Sequence, residues 1–259
     1  MTVSIADFLE ASERVGTADR SALNGFNGLH GGVAVAMLVR RMRAMVPPDR
    51  ELVAVTARFI RPLAGPMSVH TDVERNGSVL SVVRSTAASD RGTSVEAVGT
   101  FGTSASRAVA DFTPEMPAGI VGRAEATAID FPVEFVPIFE RMEIRAATRE
   151  LPYSGAAQPV LCGWVRLRDY VALNDERVMI LIDALAPSYS AVLTELKAVP
   201  TVELSVQLSA GVIDAEFDWV LVHAQTTLVD ARGFVRETVD AWAEGGRHLA
   251  SCTQLRIVR

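Results

Sequence analysis

Residues 174–187 read NDERVMILIDALAP, and residues 30–45 read HGGVAVAMLVRRMRAM. The first stretch predicts a helix over 174–186 with Val178, Met179, Ile180, Leu181, Ile182, Ala184 and Leu185 spread around it. A helix that is apolar nearly all round must be enclosed rather than laid on a surface. The second stretch has the same character and predicts a buried helix over 30–43. A sheet curling around one long helix is the simplest such enclosure.

Outward from the two helices the chain repeats itself. LVAVTARFIR (52–61) follows the first and TVELSVQLSA (201–210) the second. Turn-punctuated strand sequence comes next, at 79–102 and 219–258. The offset between copies is 144 from His30 to Asn174, 149 from Leu52 to Thr201 and 153 from Phe101 to Gln254. A few loop insertions produce that drift. Asn76-Gly77 and Gly245-Gly246 are hairpin dipeptides, while Arg91-Gly92 and Arg232-Gly233 separate strand candidates, so each copy ends in an antiparallel meander. The second copy opens with strands in FERMEIRAA (139–147) and VLCGWVRLRD (160–169). The Ala, Thr, Gly and Pro-rich stretch 103–130 reads as a linker. The predicted fold is α+β, with one unit over 1–118 and another over 119–259.

Bulk properties exclude several functions. A net charge of −6 argues against a nucleic-acid surface. No apolar run reaches the ~20 residues that span a bilayer. The opening MTVSIADFLEASERVG lacks the basic flank and apolar stretch of a signal peptide. Cys162 and Cys252 show no CxxC spacing, and His30, His70, His223 and His248 are too scattered for a metal site. A cytoplasmic protein without membrane insertion, nucleic acid, metal or cofactor is expected.

Asp183 interrupts the run VMILI-D-ALA. Burying an ionised carboxylate there is unfavourable unless it is paired or hydrogen-bonded, so the residue is a site candidate. The alternative is a side chain that turns to solvent or bonds the backbone beside Pro187. The first copy lacks the acid: Val39 stands opposite Asp183 with Arg40 next, Leu52 opposite Thr201, and Phe101 opposite Gln254. Gly31 and Gly32 open the first helix, where free N–H groups and the dipole suit an oxyanion. Close helix–sheet packing explains the same pair. His30 reads as a residue that caps or packs. The pairs Arg58/Arg61 and Arg166/Arg168 could meet phosphate groups but read as solvated strand faces, and no residue is assigned to a phosphate-bearing ligand.

LNGFNGLHGGVAVAML (23–38) resembles the Asn-x5-His-Gly-Gly motif of hotdog thioesterases, with Asn24 six residues before His30. FIRP (59–62) and a last strand carrying Gln254 resemble acyl-CoA thioesterase II proteins. That resemblance covers nearly the whole chain and implies a double hotdog that hydrolyses an acyl-CoA to free acid and CoA. It further implies a water activated by Asp183, Thr201 and Gln254, with Gly31 and Gly32 at the oxyanion. The site would be single, and a homo-oligomer of the two-copy chain stays open. An acyl-CoA-binding hotdog protein without turnover is the main rival. A hydratase on this fold needs Asp-x4-His, which neither Asp175 nor Asp183 supplies. A non-enzymatic scaffold would leave Asp183 unexplained.

Overall fold

The computed structural model describes residues 4–11, 16–17, 20–103 and 112–259. Its helices are α1 (Ile5–Ala11), α2 (Gly31–Arg43) and α3 (Asn174–Ile182). The strands of the first half are β1 (Gly16–Thr17), β2 (Arg50–Phe59), β3 (Pro66–Asn76), β4 (Leu80–Ser89) and β5 (Gly92–Thr103). Those of the second are β6 (Thr127–Ala128), β7 (Met142–Ala146), β8 (Val160–Leu167), β9 (Thr201–Leu208), β10 (Val220–Val229), β11 (Phe234–Ala243) and β12 (His248–Ile257).

Among the described residues all strands form one sheet, ordered β1-β3-β4-β5-β2-β9-β12-β11-β10-β8-β7-β6. The order on one side of the β2–β9 seam mirrors the order on the other, which is the double hotdog. All four turn dipeptides join consecutive strands, and Gly92, Gly233 and Gly246 have φ of +92°, +85° and +85°. Glycine takes that backbone without the Cβ penalty.

The seam shows how closely the halves correspond. β2 and β9 pair antiparallel with Thr56 opposite Ser205, and their hydroxyls lie 2.9 Å apart. These two residues differ by the same offset, 149, that relates Leu52 to Thr201. Ala54 faces Gln207 and Arg58 faces Glu203 on either side. Counterparts therefore meet at a local pseudo-twofold axis.

The inner face of each half-sheet covers its own helix. Val33, Val35, Leu38, Val39 and Met42 of α2 and Ile180 and Leu181 of α3 are fully buried in one continuous core. The helices also pack on each other. A Cβ on Gly32 would lie 2.4 Å from the Met179 carbonyl oxygen and 2.8 Å from Ile180 Cα. Close packing is thus a firm reason for this glycine, but of helix on helix and not of helix on sheet as expected.

Three expectations are corrected in detail. α3 stops at Ile182 rather than 186, with Asp183 as its C-cap at φ −102° and ψ 11°. Pro187 biases the residue before it away from helical geometry, and the chain turns instead into a 3-10 turn at Ser188–Val192. The strand expected over 139–147 begins only at Met142, because Pro137 opens a 3-10 turn through Arg141. In the stretch expected as a linker, 104–111 lie outside the described residues, but the part after them covers the second half-sheet. Trp242 Nε1 donates to the Pro114 carbonyl and Trp164 Nε1 to the Val121 carbonyl, each at 2.9 Å. Trp164, Trp219 and Trp242 form a small outer core there with Met116 and Ile120 against it. Three large outward rings need a cover, and this segment supplies it.

Candidate active site

Asp183 sits where the C-terminal end of α3 meets the N-terminal end of α2. Its Oδ2 accepts the Gly32 N–H at 2.9 Å, and its Oδ1 accepts Gln254 Nε2 at 3.3 Å. Thr201 Oγ1 donates to Gln254 Oε1 at 2.9 Å. The three residues expected to act together are in one hydrogen-bonded line. The alternative of a carboxylate turned to solvent does not hold, since only 9% of the side chain is exposed.

Strand register explains the line. β12 runs beside β9, with Arg256 opposite Thr201. Successive side chains alternate faces, so Ala250, Cys252, Gln254 and Arg256 share the buried side of β12. Gln254 therefore reaches inward to the helix ends while Thr201 opens the neighbouring strand beside it.

The first turn of α2 is divided between two roles. Gly32 donates its N–H to the acid, whereas no acceptor for the Gly31 N–H occurs among the described residues. A Cβ on Gly31 would lie 2.6 Å from Asp183 Oδ2, so the carboxylate rests directly over this glycine. Backbone N–H groups at a helix start attract negative charge. Asn24 shapes the preceding loop, accepting from the N–H groups of Phe26 and Gly28 at 2.8 and 3.2 Å. His30 makes no side-chain capping bond. Its Nε2 donates to the Asp183 carbonyl at 3.1 Å, while Nδ1 is buried without a partner. Burial pushes the imidazole below its ordinary value, partly opposed by Asp183. A neutral histidine holding its proton on the Asp183 backbone is a clamp for the acid.

Two neighbours escaped the sequence reading. Arg256 Nη1 donates to Thr201 Oγ1 at 2.9 Å, and Arg256 Nε donates to Glu237 Oε2 at 2.6 Å. Glu237 is 1% exposed and Arg256 6%. A parity signal was available: Glu237 shares its phase in β11 with Val235, Val239 and Ala241, and Arg256 shares its phase with Ala250 and Cys252. The surface arginines weighed for CoA have protein partners: Arg58 bonds Glu203, Arg61 the Thr93 carbonyl, Arg166 Glu143, and Arg168 the Met142 carbonyl. A groove across the second half-sheet is lined by Glu203, Asp230, Arg232, Phe234 and Arg236, and Gln254 touches it.

At the pseudo-equivalent position the polarity is reversed. Arg40 at the far end of α2 makes a bidentate pair with Glu176 at the start of α3, at 2.8 and 2.7 Å. Arg43 pairs with Asp175 and lies over the Phe101 ring at 5.9 Å. Leu52 stands where the other half has Thr201, as expected, but the strand register corrects the partner of Gln254: Gly99 holds its place, and Phe101 holds that of Arg256. Leu52, Gly99 and Phe101 are all buried. Salt bridges and apolar side chains fill the place where a second site would be.

The fold is a double hotdog with a hydrogen-bonded carboxylate buried at its helix junction. Residues 20–102 match the acyl-CoA thioesterase N-terminal domain and residues 108–258 the acyl-CoA thioesterase C-terminal domain. The chain belongs to the acyl-CoA thioesterase family and is a thioester hydrolase. Among solved structures it is similar to a protein of Thermobifida fusca assigned as a thioesterase II, at 25% identity and TM-score 0.80 over 97% of both chains. It is similar in fold to a hot dog protein of unknown function from Alicyclobacillus acidocaldarius, at 20% identity and TM-score 0.82 over 94% of this chain and 92% of that one. An acyl-CoA thioesterase II of Mycobacterium marinum shares the fold at 17% identity and TM-score 0.72 over 97% of both chains. No curated protein matches. Among the described residues no cluster could hold a metal ion, and no helix is long and apolar enough to cross a membrane.

Proposed function

We propose that the chain hydrolyses a fatty acyl-CoA, or a related acyl thioester, to free acid and CoA with a water activated by Asp183, Thr201 and Gln254. The observation that carries this reading is the line Thr201–Gln254–Asp183 laid against the start of α2. Gln254 keeps a second N–H, Thr201 a lone pair and Asp183 unused acceptor sites, which are the groups needed to hold and deprotonate one water. The water attacks the thioester carbonyl carbon as Asp183 takes its proton. The carbonyl oxygen, now negative, is met by the Gly31 N–H and the positive end of α2, with Gly32 occupied in fixing the acid. Collapse of the tetrahedral species breaks the C–S bond and expels CoA as thiolate, and the proton on Asp183 is then free to reach it. Acyl-CoA enters as substrate, and the chemistry needs no cofactor. The negative net charge and two buried free cysteines suit a cytoplasmic enzyme.

Incubating the full chain with acyl-CoAs of graded chain length, and following thiol release together with free acid, tests the proposal. Equimolar acid and CoA at a catalytic rate is the expected result. Tight binding across the panel without release of acid would make the chain an acyl-CoA-binding protein instead.

A further inference from the structure

The buried pair Glu237–Arg256 is unused by the chemistry above, yet it lies against that chemistry. Glu237 Oε1 accepts the Ser188 backbone N–H at 2.5 Å, and Oε2 accepts Arg256 Nε. The pair therefore ties the turn after α3 to the last strand. Two buried charges on strand faces otherwise suited to Val and Ala are costly unless well paired, and apolar residues of similar size fill such positions at no loss of stability. Stability alone is a poor reason for the pair.

The proton directions supply a better one. Arginine can only donate. Thr201 Oγ1 accepts from Arg256 Nη1, so its single proton goes to Gln254 Oε1. With Oε1 engaged, the amide turns Nε2 to Asp183 Oδ1. The Gly32 N–H, also a donor only, meets Oδ2 from the other side. Every hydrogen bond from Arg256 to Asp183 thus points one way, and the acid faces donors on both oxygens. Arg256 Nη2 itself stands 4.0 Å from Asp183 Oδ1, an ion pair that favours the same ionised acid. Were Thr201 to donate elsewhere, Gln254 could present Oε1 to Asp183. Acceptor would then oppose acceptor, and Asp183 would have to carry a proton to stay, which disqualifies it as a base.

We infer that Arg256, held in place by Glu237, is a positioning residue that sets the hydrogen-bond direction through Thr201 and Gln254 and so keeps Asp183 able to accept a proton. It touches neither water nor thioester. The inference rests on the reading of Asp183 as the base.

The test is Arg256→Met/Glu237→Gln in the full chain, a pair that removes both charges together and leaves neither ion orphaned. Steady-state hydrolysis of the best acyl-CoA should show kcat lower by roughly 10- to 100-fold with KM within about twofold, at a melting temperature near wild type. In a Thr201→Val background, where the line is already cut, the same two substitutions should cost clearly less kcat than in wild type, the remainder coming from the direct Arg256–Asp183 ion pair. A folded pair variant with wild-type kcat overturns the inference, and so does an equal loss in both backgrounds. If the pair variant does not fold, Arg256→Lys decides. Lysine still donates to Thr201, so kcat within about fivefold of wild type supports the role, and a loss as large as that of Thr201→Val contradicts it. Wild-type kcat in Asp183→Asn would defeat the underlying reading. Loss there with an unaffected pair variant defeats this inference alone.

Discussion

Asp183→Asn lowers kcat for acyl-CoA hydrolysis by about 10²- to 10⁴-fold, the range for loss of a positioned acid–base group. Asparagine has nearly the same shape, so its packing against the start of α2 persists. It cannot take a proton from water at neutral pH. The hydrogen bonds are another matter: Gly32 N–H and Gln254 Nε2 both donate, and one of them must now face the new amide's N–H₂. A modest cost of about 1–3 kcal/mol follows from that mismatch. The fold should survive, with a lowered melting temperature and an unchanged circular dichroism spectrum. Activity equal to wild type would remove Asp183 from the mechanism.

Gly32→Ala should be the most damaging single substitution for the fold. The new methyl would lie 2.4 Å from the Met179 carbonyl oxygen and 2.8 Å from Ile180 Cα, and both are backbone atoms that no side-chain rotation can move. The two helices would have to separate inside a close-packed core, and overpacking of this kind costs about 3 kcal/mol or more. Separation also draws the Gly32 N–H away from Asp183, so surviving protein should be inactive. Gly245, in the β11–β12 turn with nothing within 4 Å of an added Cβ, is the control, and Gly245→Ala should be near neutral. Urea midpoints of the two variants settle the matter; a wild-type midpoint for Gly32→Ala would mean that the helix crossing is looser than the geometry states.

Most of the architecture was legible because its signals are local. A helix apolar nearly all round, hairpin glycines and alternating strands recur in the same order twice, and a hotdog is their simplest common solution. The boundaries that were misplaced are those where proline intervenes, at Pro137 and Pro187. The cover over Trp164 and Trp242 was invisible because carbonyls of Pro114 and Val121 make the contacts, and a carbonyl leaves no trace in composition. In the site, Asp183 announced itself as a charge in an apolar run. Thr201 and Gln254 were nameable only through the family resemblance, since a strand-opening threonine and a late glutamine are ordinary residues. Arg256 and Glu237 were missed because charged residues in strands were read as solvated, without checking which face each occupies. Asp175 and Glu176 stand in the first turn of α3. Their main contacts prove to be Arg40 and Arg43 across the helix junction, a long-range pairing that sequence spacing does not encode.

The central claim is that one polypeptide carries a single asymmetric site: the acid comes from the end of α3, the amides come from the start of α2, and the pseudo-equivalent place is closed by Arg40–Glu176 and Arg43–Asp175. Calorimetric titration of the full chain with a non-hydrolysable acyl-CoA analogue tests it most directly. The structure predicts one analogue bound per polypeptide. Two equivalent analogues per polypeptide would contradict it, because the salt-bridged junction would then have to open into a second working pocket.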